Sequence, residues 1–203
     1  METQDKKSYH HGNLRDALVA SGLEILEQEG ASALSLRAVA RRAGVSHAAP
    51  AHHFPALGHL LAEIAAEGFK AFVRSLDEAA KKGPQDPASR LKAMGRAYVD
   101  FAIARNALYA LMFQTTGIIA WTDTLELAAR SAWNQLAQAV AAVLGRSAED
   151  PVTRAGAVRV WSLVHGFGSL SIDDRFPPDV RGNLGSAVID QAIAALPQLA
   201  QGA

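Results

Sequence analysis

Residues 35–54, SLRAVARRAGVSHAAPAHHF, decide the fold. Ser35 stands ahead of Leu36, Val39, Ala40 and Ala43, apolar positions spaced along one face of a two-turn helix, and its hydroxyl is placed to cap that helix. Gly44 follows, the residue that most easily takes the left-handed backbone of a tight turn. Val45 offers a core side chain, and Ser46 can cap a third helix that runs to about His53. Pro55 ends it, because a proline denies helical backbone to the residue before it. Two short helices that meet near a right angle need a small side chain at their crossing and a glycine at the turn. Ala40 and Gly44 fill those places, and Arg37, Arg41 and Arg42 stay outside, so the spacing predicts a helix–turn–helix.

Working outward, the signals remain helical. Leu14, Leu18, Gly22, Ile25 and Leu26 form an apolar stripe on a helix that Gly12 or Asn13 opens and Gly30 closes. After Pro55, a long helix from about Ala56 to Lys82 carries Leu61, Ile64, Phe69, Phe72 and Leu76. Gly83, Pro84 and Pro87 mark a loop, and Asp86 with Pro87 starts the next helix with Leu91, Met94, Tyr98, Phe101 and Ala102. A short helix from Asn106 follows, then one after Gly117 closed by Gly145, and a long one restarted by Asp150 and Pro151. Beyond the break at Pro177 and Pro178, one last helix holds Leu184, Val188, Ile189, Ile193 and Leu196. Strand patterns are nearly missing, so the fold class is all-α: a head over residues 1–55 and a larger body over 56–203.

Composition narrows the function classes. Nearly half of the 203 residues are apolar and a fifth are charged, the mix of a globular protein with a sizeable core. Cysteine is absent, which excludes disulfides, thiolate metal sites and cysteine nucleophiles. The start, METQDKKSYHHGNLRD, has no apolar run after its charges, so no secretory signal is read and a cytoplasmic protein is expected. The longest apolar stretch, Ala107 to Trp121, is broken by Gln114, Thr115 and Thr116 and falls short of the roughly 20 residues a membrane helix needs. Formal net charge is zero, yet no acid lies between Glu29 and Glu63, while Arg37, Arg41, Arg42, His47, His52, His53 and His59 do. A local basic face is what phosphate neutralisation requires.

These residues carry a family resemblance. SGLEILEQEGASALSLRAVARRAGVS, its turn ending A-G-V-S, and the closing H-F-P within HHFP resemble the head of the TetR family of bacterial repressors over about residues 12–65. WSLVHG, Trp161 to Gly166, resembles the Trp, His and Gly signature of one subgroup's carboxy-terminal domain, and YHHGNLRDAL near the start resembles that subgroup too. The resemblance implies a homodimer of about nine-helix subunits that binds double-stranded operator DNA, with the last two long helices of each subunit pairing across the two-fold axis. A small ligand in the body would shift the separation of the heads. By that implication the third helix enters the major groove with Ser46, His47, Ala48 and Ala49 near its start. Ser35, Arg37, His52 and His53 lie toward the DNA, Ser35, Arg37 and His52 as phosphate contacts. The chain departs from the family at two positions, with Ala51 where a tyrosine is usual and Leu57 where a lysine is usual. Both replaced groups face the DNA backbone in the family, so modest operator affinity is expected.

In the body, Met94, Tyr98, Phe101, Phe113, Trp121, Trp133 and Trp161 are candidates to line a ligand cavity, as they are to form core; Tyr109 and Met112 share that ambiguity. His165, four residues after Trp161 on the same helical face, is either a satisfied core histidine or the polar anchor of an apolar pocket. So little fixed charge points to a mainly apolar or neutral effector. His10 with His11 and His52 with His53 do not suggest metal, because sequence neighbours diverge on a helix and no acid or sulfur lies close. An enzyme built on His165, Asp173 or Asp174 and Ser169 lacks any G-x-S-x-G elbow, phosphate loop or H-E-x-x-H pair, so no catalytic residue, metal or cofactor is assigned. The rival reading is an effector-binding or assembly protein with a weakened DNA-binding head, motivated by Ala51 and Leu57.

Overall fold

The structure is a computed structural model that describes residues 11–113, 119–177 and 184–201. Expectations placed on His10, on residues 114–117 and on Pro178 lie outside the described residues. Those residues form α1 (His11–Glu29), α2 (Leu36–Arg42), α3 (Leu57–Lys82), α4 (Pro87–Ala104), α5 (Asn106–Met112), α6 (Asp123–Leu144), α7 (Pro151–Ile172), α8 (Leu184–Ala194) and α9 (Leu196–Gln201). Two 3₁₀ turns, Ala31–Ala33 and Ala49–His52, complete the order, and no strand occurs among the described residues.

Local chemistry sets these boundaries. The Ser35 hydroxyl accepts from the Ala38 N–H at 3.1 Å and caps α2. Asp86 does the same for α4 through the Ser89 N–H at 2.9 Å, and Asp150 for α7 through the Val152 N–H at 2.8 Å, each followed by a proline in the first turn. Gly44 takes φ +67°, where an L side chain would be strained, and lets the chain turn out of α2.

Two expectations are corrected. The segment after the turn is not an α-helix from Ser46 to His53. Ser46 makes no cap, and the segment forms a 3₁₀ turn over Ala49–His52. Pro50 is the cause: an α-helix begun at Ser46 needs the residue-50 N–H to reach the Ser46 carbonyl, and proline has none. Shorter bonds close instead, from Ala49 N–H to Ser46 O at 3.0 Å and from Ala51 N–H to Ala48 O at 3.2 Å. The last apolar stripe is likewise two helices, α8 and α9, parted at Ala195. Pro197 cannot donate to the Ile193 carbonyl and its ring crowds it, so the stripe continues only after a break.

The head and body share α3. Its first turns, with Leu60, Leu61 and Ile64, pack under α1, where Gly22 lies so close that an added Cβ would stand 2.6 Å from Ile64 Cδ1. Phe54 is buried beneath this junction, with the Arg15 guanidinium 5.6 Å from its ring centroid and 2.8 Å from the buried Glu63 carboxylate. Farther along, α3 packs on α4 and α6, while α4 lies against α7 and α8. That places Phe69, Phe72 and Leu76 at the centre of the body.

Candidate functional site

The outer face of the head is built from α2 and the turn after it. Arg37 and Arg41 are exposed and have no side-chain partner among the described residues, as is true of His47 and His52, and no acid lies between Glu29 and Glu63 in the sequence. Arg42 differs from Arg37 and Arg41: it reaches back to Glu24 and Glu29 of α1, and to Gln28 at 3.2 Å. It therefore fastens α2 to α1, and the basic face consists of Arg37 and Arg41. Ser35, Ser46, Ala48 and His52 are exposed on the same segment, Ala49 is half-buried, and the half-buried His53 ring lies 6.4 Å from that of Phe54. Leu57 is packed against the core, an apolar role the sequence did not suggest, whereas Ala51 is exposed.

In the body, α3, α4, α6 and α7, with Met112 of α5, line a half-open cavity of about 470 Å³. Met94, Tyr98, Phe113, Trp121, Trp133 and Trp161 lie on its wall. Phe101 and His165 lie behind it. Phe101 meets the wall residue Phe72 edge-on at 5.3 Å, and His165 stands 4.8 Å from Phe113 and 6.2 Å from Trp161. The wall also contains Phe69, Phe72, Leu76, Val160 and Val164, which share apolar stripes with ordinary core positions, so periodicity could not single them out. Glu126 and Arg130 add charge to the wall but pair with each other one turn apart on α6.

Behind Tyr98, polar groups converge. Its hydroxyl is 2.8 Å from His165 Nδ1 and 3.1 Å from the Tyr109 hydroxyl, which is itself 2.7 Å from the same nitrogen. Burial pushes both phenols above their ordinary range and holds His165 below its own, so the cluster is uncharged at neutral pH. The site thus offers an apolar, aromatic space with a neutral polar cluster at its back. Among the described residues no three His, Asp or Glu side chains gather as a metal set, and no helix is long and apolar enough to cross a membrane.

Two family models match the chain. That for bacterial regulatory proteins of the tetR family covers residues 18–64, and that for the tetracyclin repressor-like C-terminal domain covers residues 91–196. A solved protein of unknown function from Rhodococcus sp. RHA1 is 30% identical, with 97% of this chain and 98% of that one covered and a TM-score of 0.70. A putative transcriptional regulator from Pseudomonas aeruginosa PAO1 shares the fold at 18% identity, with 97% and 100% covered and a TM-score of 0.67. A TetR family transcription regulator from Marinobacter aquaeolei VT8 does so at 15%, with 89% and 94% covered and a TM-score of 0.61. No curated protein matches the chain at a significant level.

Proposed function

Because the chain belongs to the tetR family of bacterial regulatory proteins, we propose that it is a cytoplasmic, ligand-responsive transcriptional repressor that binds operator DNA as a homodimer. The observation that carries this reading is the pairing, on one α3, of a head that has no acid between Glu29 and Glu63 and whose Arg37 and Arg41 have no partner among the described residues with a body that holds an apolar cavity. The arginines suit phosphate contacts, and the turn at Ser46–Ala49 is the part of the head that reaches base edges. The effector is small and mainly apolar or neutral, since the wall is aromatic and its one ion pair is internally compensated. Dimerisation through α7 and α8 is supported by the exposure of Val158 and Leu170 on α7, apolar side chains that a second copy would cover.

A hydroxyl-radical footprint on the DNA upstream of the chain's own gene tests the reading. Two protected patches on one face of the duplex are expected, one for each head. Uniform or absent protection would instead favour an assembly protein with a weakened head, a reading that the short recognition turn and Ala51 support.

A further inference from the structure

The segment that follows α2 is pinned at two points. Pro50 and Phe54 are buried, and between and before them His47 and His52 are exposed, with no side-chain partner among the described residues. The 3₁₀ turn packs on α2, whose charged groups are Arg37, Arg41 and Arg42. The acids of α1 that reach α2, Glu24 and Glu29, are held by Arg42, and the buried Glu63 of α3 is held by Arg15. His53 lies half-buried beside Phe54, and His59 lies half-buried in the first turn of α3. The outer face therefore carries two permanent cations, Arg37 and Arg41, and two exposed imidazoles, and the chain supplies no acid between Glu29 and Glu63 to offset them.

Histidine is the side chain that ordinarily changes charge between pH 5 and 8. A neutral imidazole can hydrogen-bond a phosphate but displaces no counterion, whereas an imidazolium does both. A phosphate beside the ring favours the charged form, so binding takes up protons, and by linkage added protons favour binding. We propose that His47 and His52 are proton-dependent phosphate contacts, which bring the cations of each head's outer face from two to four on mild acidification and so tighten its grip on DNA. The inference rests on the reading of the head as DNA-binding. It deepens that reading, because half of the charge available to the phosphates is then set by pH.

Fluorescence anisotropy on the full chain tests it, with a labelled duplex from its own upstream region and a random duplex, at constant ionic strength between pH 8 and pH 6 and with the fold followed by circular dichroism. Phosphate contacts are independent of sequence, so affinity for both duplexes is expected to rise about tenfold over that range, with a steeper salt slope at pH 6. The His47→Asn, His52→Asn double variant should lose most of the rise. The His47→Lys, His52→Lys variant, whose charges are permanent, should bind at pH 8 nearly as tightly as at pH 6. An affinity or salt slope that does not change with pH, or a rise that persists undiminished in the asparagine variant, overturns the proposal and leaves the DNA-binding reading standing. Binding of neither duplex at pH 6 and low salt overturns both.

Discussion

Arg105, between α4 and α5, grips Glu27 of α1, with its Nε 2.7 Å and a terminal nitrogen 2.5 Å from one carboxylate oxygen. The same guanidinium lies 5.7 Å from the Phe101 ring centroid, and Phe101 packs on Phe72 of the cavity wall. A contiguous path thus runs from the cavity to the head. Arg105→Ala is expected to lower stability by about 1 kcal/mol or less, since both side chains are partly exposed. The charge-reversed pair Arg105→Glu, Glu27→Arg should recover most of that loss. Thermal denaturation of the two singles and the double measures it; strictly additive losses would mean the pair contributes nothing.

The three arginines of α2 should separate by experiment. Arg37→Ala and Arg41→Ala are each expected to weaken binding to all duplexes alike and to lower the salt slope by about one. Arg42→Ala should leave the slope unchanged and lower the melting temperature, because its partners are Glu24 and Glu29. A salt slope that falls with Arg42 and not with Arg37 would reverse the assignment.

Ala51 is exposed where the family usually carries tyrosine, so Ala51→Tyr should strengthen DNA binding without loss of stability. Leu57→Lys is a contrasting case. It introduces a charge where an apolar side chain packs on the core, and a drop in melting temperature is expected. Titration of both variants against one duplex, with melting curves alongside, checks the contrast.

His165 makes stability depend on pH. Burial holds its value below the ordinary 6.5 that it regains on unfolding. As pH falls through 6.5, the unfolded chain takes up a proton that the folded chain resists, so stability declines on acidification and is unaffected above about pH 8. The groups that face the ring are the neutral Tyr98 and Tyr109 hydroxyls and the Phe113 and Trp161 rings. Melting temperatures between pH 8 and 6 should fall more steeply for the unsubstituted chain than for His165→Phe; parallel curves would contradict this.

Much of the head could be read from Ser35, Ala40 and Gly44, because capping, close crossing and left-handed turns each demand a specific residue type. Asp86–Pro87 and Asp150–Pro151 announced their helices for the same reason. The recognition turn departs from the α-helix expected between Ser46 and His53 because Pro50 lacks the N–H that such a helix needs, a local demand stronger than the helical pattern around it. The cavity was half legible. Trp133 and Trp161 stand out as large aromatics, but Phe69 and Phe72 occupy the same periodic positions whether they face a void or a neighbouring helix. The partnership of Arg42 with α1 and that of His165 with two tyrosines are tertiary facts that no local pattern contains.

Fluorescence anisotropy of a labelled duplex from the chain's own upstream region, set against a random duplex across a salt series, tests the central claim most directly. Tighter binding to the upstream duplex at every salt concentration, with log affinity falling steeply as log salt rises, is the predicted result. Equal affinity for both duplexes throughout the series would contradict it.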